Sequence, residues 1–191
     1  MNAMQMLWDN KYRQGLPSLT EPDPFFCSIY HSYLQQIYPH GGASVLDLAA
    51  GSGRHSLFLA ELGWKITAVD ISPVGLQILE DKASTLGVNI DTTIADLTDY
   101  QLPRHRFDVV VLYYHFDRSL FYRIYNSLKP GGILVCKLAV NWSNIVDADV
   151  TAPLPLQKDE FLSLVTRFFT IEHTERPAGN RGVVEYLGIK K

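Results

Sequence analysis

A chain of 191 residues, 47% hydrophobic and with a net charge of -3, can bury a sizeable core and lies near the ~150 residues of a single domain. Its charge offers no clustered basic surface for phosphate backbones or anionic lipids, so neither nucleic acid nor membrane is an expected partner, and "RHRF" (104–107) and the terminal "KK" read as solvated faces. No apolar run nears the ~20 residues of a bilayer span, "MNAMQMLWDNKYRQG" lacks the order of a secretory leader, and Cys27 and Cys136 stand far apart among apolar neighbours, so reduced thiols and a cytoplasmic protein are expected.

In chain order, the first patterned stretch is "EPDPFFCSIYHSYLQQIYPHGG", where Phe26, Tyr30, Tyr33 and Ile37 make an amphipathic stripe. Residues 1–40 are expected to form a helical segment over the edge of the site, with the domain proper at 41–191. From residue 44 onward β-branched runs alternate with helical patterns. "SVLDLAA" (44–50), "KITAVDI" (65–71), "NIDTTIAD" (89–96), "FDVVVLYY" (107–114) and "GILVCKLAV" (132–140) read as strands, several apolar at consecutive positions as in strands buried on both faces.

Between the second and third strands, "SPVGLQILEDKASTLG" carries Ser72 as N-cap, Pro73 at the first helical position and Gly87 past the end, with Leu76, Leu79, Ala83 and Leu86 on one face. After the fourth, "RSLFYRIYNSLKPGG" repeats the pattern at Leu120, Ile124 and Leu128, and Pro130 with the glycine pair is expected to end that helix. Such alternation implies right-handed crossovers and a parallel sheet with helices on both faces. In the tail, "KDEFLSLVTRF" (158–168) reads as a helix, and "TIEHTERP" and "VVEYLGIK" are joined by "AGNRG" alone. So short a link joins antiparallel neighbours only, and the last strand should be the antiparallel member of a mixed sheet.

The first strand runs into "AAGSGRH", small residues at the turn where an open α/β sheet binds ligands. A two-glycine turn also occurs in many cores. Asp70 adds a second placed feature: it ends the next strand, 19 residues beyond Gly51, the spacing at which a carboxylate meets ribose hydroxyls. Its alternative, capping the following helix, competes with Ser72. Ser56 stands where a dinucleotide fingerprint wants its third glycine, and no glycine–lysine–serine phosphate loop is present, so the site suits an adenosine-type ligand without a diphosphate.

These residues carry a family resemblance. "VLDLAAGSGRHSLFLAELGWKITAVDISPVGLQILEDKA" resembles the first half of class I S-adenosylmethionine-dependent methyltransferases, within them the tellurite-resistance and thiopurine-methyltransferase-like branch. "WDNKYRQG" with "EPDPFF", "IADLTDY", "FDVVVLYYHFDRSLF" and "LKPGGILVCKLA" resemble that branch's other segments, so the likeness covers nearly the whole chain. It implies a Rossmann-like, doubly wound, seven-stranded α/β sheet and S-adenosyl-L-methionine as cofactor. Gly51 and Gly53 would lie under the methionine part, Asp47 would hold its amino end, Asp70 would bind the ribose and Ile71 would face the adenine. Asp96 would accept from the adenine amine beside Leu97, and Tyr113 and Tyr114 would sit near the methyl. Ala49 replaces the family's frequent first glycine. Asp96 also fits an Asx turn at a strand end, and Trp8 and Tyr12 fit core packing as well as ligand contact.

Methyl transfer from a sulfonium needs no covalent enzyme intermediate, and orientation alone can supply roughly 7–11 kcal/mol, so a general base is optional. In "YYHFDR" (113–118), His115 is the candidate base with Asp117 orienting it; a backbone hydrogen bond is its alternative role. His31, His55 and His173 have weaker claims, no cluster shows metal spacing, and "GSGRH" lacks a nucleophile elbow. The expected acceptor is a small molecule, under a roof formed by 141–157 and the N-terminal stripe, in a monomer or homodimer. A non-catalytic S-adenosylmethionine sensor is the alternative, followed by a nicotinamide-dependent oxidoreductase.

Overall fold

The computed structural model describes residues 3–17, 19–142 and 154–191. Its strands are β1 (Ser44–Leu48), β2 (Lys65–Asp70), β3 (Ile90–Ile94), β4 (Phe107–Tyr113), β5 (Leu128–Val140), β6 (Phe168–Ala178) and β7 (Arg181–Lys190). They form one sheet in the order β3-β2-β1-β4-β5-β7-β6. The pairs from β3 through β5 are parallel, and β7 runs antiparallel to both β5 and β6, as the short link ahead of it requires.

Consecutive apolar residues serve opposite faces of this sheet. Leu46, Leu112 and Leu134 pack against Leu120, Ile124 and Phe161, whereas Val45, Val111 and Val135 pack against Phe26, Ile29, Leu59 and Trp64. A period of two along each strand produces this division, and it is why the central runs are apolar throughout. The helices are α1 (Ala3–Arg13), α2 (Pro24–Ile29), α3 (Gln35–Ile37), α4 (Arg54–Glu61), α5 (Pro73–Leu86), α6 (Arg118–Ser127) and α7 (Phe161–Leu164); α2, α4, α6 and α7 supply partners named above, and α5 packs its Leu76, Leu79 and Ala83 on Ala68. α5 has the caps its sequence specifies: the Gly75 N–H donates to Ser72 Oγ at 3.1 Å, and Gly87 closes the helix at φ 69°.

Four local expectations change. Between α2 and α3 the chain makes a π-helical turn (Tyr30–Leu34), which sets the buried face back by one residue; Leu34 is buried while Ile37 is exposed. Leu86 is also exposed, one turn past the α5 residues that reach the sheet. α6 stops at Ser127, so Leu128 and the "KPGG" after it already belong to β5. The helix expected over 158–168 shrinks to one turn, because Asp159 adopts a left-handed φ of 64° and Phe168 is taken into β6.

Candidate functional site

The carboxyl ends of β1, β2 and β4 open onto a cavity of about 790 Å³. The cofactor-binding candidates named from the sequence and His115 all line it: Trp8, Tyr12, Asp47, Ala49, Gly51, Gly53, Asp70, Ile71, Asp96, Leu97, Tyr113, Tyr114 and His115; His31 and His173 do not. The turn after β1 is left-handed at Ala49 (φ 55°), Gly51 (φ 58°) and Gly53 (φ 76°). Glycine adopts that conformation freely and alanine at a cost, so Ala49 stores backbone strain at the mouth of the site.

Asp70, at the end of β2, is buried, and its two carboxylate oxygens accept the backbone N–H groups of Gly51 and Ser72, each at 2.8 Å. It therefore ties the glycine turn to the start of α5, and each oxygen keeps a lone pair for a hydroxyl. Burial raises its pKa against the pull of those N–H groups. Asp47, at the end of β1, accepts from Ser56 Oγ at 2.7 Å; the residue in the third-glycine position is thus the carboxylate's partner. Burial dominates at Asp47 as well and pushes its pKa up to about 7.

Trp8 and Tyr12 project from α1 onto the cavity and belong to none of the buried apolar clusters. Tyr12 lies over the turn so closely that a Cβ on Gly51 would sit 2.2 Å from its hydroxyl. α1 is pinned there by Asp9, a buried carboxylate that accepts from Ser72 Oγ. Thus α1 covers the site directly, while α2 covers a sheet face, and its N-cap Asp23 and its Phe26 touch His55, which lines the cavity. At the far end, Asp96 accepts from the backbone N–H and hydroxyl of Thr98, the Asx turn, while still facing the cavity beside Leu97.

Beyond β4, Tyr114 is held at φ 57° and half exposed. His115 Nε2 is buried without a hydrogen-bond partner among the described residues, and burial lowers its pKa, so the ring is neutral near pH 7. Asp117 does not orient it. That carboxylate caps α6 through the Ser119 N–H at 2.8 Å and pairs with Arg123 at 3.0 Å, influencing His115 only through its field. Of the expected roof, residues 143–153 lie outside the described residues. Leu154, Pro155 and Leu156 line the cavity, held by Arg118, which donates to the Leu154 and Pro155 carbonyls and grips Glu160 with two nitrogens.

His55, a weaker base candidate from the sequence, and Arg54 also line the cavity, over a network of charges that does not. His55, on the first turn of α4, is buried against Tyr113 with ring centroids 4.2 Å apart. Its Nε2 accepts the Asp23 N–H at 3.2 Å, and burial drives its pKa down to about 3. Asp23 also accepts from Lys137 Nζ at 3.0 Å, and Lys137 pairs with Glu185 at 2.9 Å. Burial opposes the Lys137 charge, but its bonds to Glu185 and Asp23 outweigh that and hold its pKa above the ordinary value. The sequence offers only "GSGRH" as a hint of Arg54 and His55; Asp23 and Lys137 carry no local signal.

Among the described residues no group of three His, Cys, Asp or Glu side chains is placed to hold a metal, and no helix is long and apolar enough to cross a membrane. A family model described as a methyltransferase domain matches residues 45–132. Over 97 residues the chain is 30% identical to phosphoethanolamine N-methyltransferase 3 of Arabidopsis thaliana, an alignment covering 48% of this chain and 20% of that protein. Over 103 residues it is 31% identical to a ubiquinone biosynthesis O-methyltransferase of Cereibacter sphaeroides, covering 51% and 42%. The chain thus spans less than half the length of either relative. TehB from Haemophilus influenzae shares the fold with a TM-score of 0.74 at 19% identity, over 96% of this chain and 67% of that one.

Proposed function

We propose that the chain is a class I S-adenosylmethionine-dependent methyltransferase that transfers the methyl group of that cofactor to a small-molecule acceptor in the cytoplasm, a reading supported by the methyltransferase-domain match over 45–132 and by the shared fold. The observation that carries this reading is the pair of buried carboxylates, Asp47 and Asp70, flanking the glycine turn in one cavity. The donor set fits the cofactor. Asp70 has free lone pairs for ribose hydroxyls, Asp47 offers an acceptor to an ammonium, and Ile71 and Leu97 give apolar flanks to a purine. When bound, the cofactor supplies an electrophilic methyl on a cationic sulfur.

The protein's part is chiefly placement and exclusion of water. Asp70 fixes both the turn and the start of α5, so the groups that grip the nucleoside are preorganised. Trp8 and Tyr12 close the cavity from above. Tyr113, Tyr114 and Phe116 surround the acceptor end with aromatic faces, which favour a cation by about 0.5–2 kcal/mol. His115, neutral and unpartnered at Nε2, can take the acceptor's proton, a contribution of about 10²–10⁴-fold where the acceptor must be deprotonated.

The test has two stages. Calorimetry should show S-adenosylmethionine and S-adenosylhomocysteine binding in the micromolar range; no heat with either, but saturation by a nicotinamide dinucleotide, sinks the reading. Radiolabelled cofactor is then offered with small thiols, phenols, amines and chalcogen oxyanions. Methylation that drops about 10²-fold or more in His115→Ala supports the base, and undiminished turnover removes His115 from the chemistry. A second reading, a non-catalytic cofactor sensor, is favoured by one observation: the acid beside His115 is engaged elsewhere. Tight cofactor binding with no product from the whole panel would make it the leading one.

A further inference from the structure

β6 (Phe168–Ala178) is the last strand of the sheet, and among the described residues no strand pairs with its outer edge. At 11 residues it is about twice the usual length, and residues 172–178 hold an unbroken register with β7. That register decides which backbone groups face outward. Ala178 and Arg181 close a two-residue hairpin whose first central residue, Gly179, has φ 65°; they form a hydrogen-bonded pair, and bonded and unbonded pairs alternate from there. Pro177, with no N–H to give, thus falls opposite Gly182 at an unbonded pair. Glu175 and His173 fall at unbonded pairs as well, opposite Val184 and Tyr186. Their N–H and C=O groups therefore point away from the sheet.

An open edge is a ready template for another strand. In β6 the bulge at Ile171 and the proline at 177 bound the open stretch to 172–176. Within it there is no lysine to repel a neighbour, and the charges are of both signs: Glu172, Glu175 and Arg176. Glu172 is exposed and has no hydrogen-bond or ion-pair partner among the described residues. Arg176 is bonded to Glu185 but keeps its side chain 54% exposed.

Run antiparallel to a copy of itself about Thr174, this stretch is self-complementary. His173 and Glu175 then lie opposite each other across the axis and exchange both of their outward backbone bonds. Glu172 lies opposite Arg176 of the second copy, on both sides of the axis, at the spacing where opposite charges attract. The exposed Phe169 and Ile171 come beside the second copy's Pro177 and hairpin turn. The neighbouring registers are worse. Centring on Glu175 sets that carboxylate against itself, and centring on His173 brings the bulge into the ladder.

We infer that β6 is a homodimer interface, in which two copies of this chain join their sheets edge to edge, antiparallel and centred on Thr174. Sedimentation velocity on the full chain, from about 5 to about 500 µM, should show a monomer–dimer equilibrium, since one strand pair is a small contact and associates weakly. Glu172→Arg sets like charges opposite each other on both sides of the axis and should weaken the dimer about tenfold or more, with thermal unfolding unchanged because Glu172 has no partner of its own. Thr174→Cys, in a Cys27→Ser background that leaves only the buried Cys136, places two thiols at an unbonded pair with Cβ atoms about 4.5–5.5 Å apart. Oxidation with copper–phenanthroline should then give a disulfide-linked dimer. Ala178→Cys in the same background, about 25 Å from its counterpart at 3.3 Å per residue, should not cross-link. A wild type that stays monomeric over the whole range overturns the interface. A dimer that Glu172→Arg leaves intact, or one that cross-links no better at Thr174 than at Ala178, overturns it too, because the contact then lies on another surface.

Discussion

Replacing Asp47 with asparagine tests whether the site holds its charge at the expense of stability. The carboxyl is buried, and among the described residues its only hydrogen bond from a side chain comes from Ser56 Oγ at 2.7 Å. Its pKa, about 7 in the fold against 3.8 for an ordinary aspartate, is raised. The stability it contributes is therefore fully present below the unfolded pKa and is lost as pH rises toward 7. Between pH 5 and pH 8 a shift of that size removes about 2.5 kcal/mol. The Asp47→Asn amide keeps an oxygen for Ser56 and carries no titrating proton. Urea unfolding should therefore find the variant gaining about 2.5 kcal/mol on the wild type across that interval, since the other titrations are common to both and cancel. The same variant should bind S-adenosylhomocysteine about tenfold or more weakly at pH 8, having lost a charged acceptor. Parallel stability profiles for the two proteins would refute the buried-charge argument, and unchanged affinity would refute the role given to Asp47.

Three further outcomes are expected. His55→Gln removes a buried imidazole held neutral at a pKa of about 3; because that value is lowered, the wild type loses stability as pH falls from about 6.5, and the variant should gain about 2.5 kcal/mol on it between pH 7 and 4.5 in urea titrations. Lys137→Met removes the ammonium that Asp23 and Glu185 share but leaves Glu185 with Arg176 and Thr174 and Asp23 with the Phe25 N–H; a loss of about 1.5–3 kcal/mol in denaturant unfolding is expected, and no loss would show the network to be dispensable. Ala49→Gly relieves a left-handed φ of 55°, worth about 1–2 kcal/mol less the unfolded-chain entropy of glycine, about 0.4–1 kcal/mol; the melting temperature should rise by up to about 4 °C, and a fall would refute the strain.

The sheet and the glycine-turn half of the cavity are legible in the sequence because their signals are local. Ser72, Pro73 and Gly87 bound α5 through bonds that span three or four residues, and the left-handed turn at Gly51 and Gly53 sits where a strand pattern gives way to a helical one. Asp70 finds Gly51 because two parallel strands joined by one helix bring their carboxyl ends together, whatever the rest of the chain does. Ser56 reads as a missing glycine until its hydroxyl is seen on Asp47. The π-helical turn that moves Ile37 out of the core has no signature that a period of 3.6 can register.

The Tyr113 end of the cavity depends on strand order and register, which no window of sequence contains. Tyr113 pairs with Lys137 across β4 and β5, and Lys137 with Glu185 across β5 and β7, so one row of the sheet sets two buried charges beside an aromatic floor. Asp23 joins that row from 114 residues away. A slip of one residue would turn Lys137 to the opposite face and leave both carboxylates without it. Composition and periodicity determine that these strands exist and which faces are apolar; only the closed sheet decides which charges meet, because those outcomes are set by side chains that become neighbours once every strand is in place.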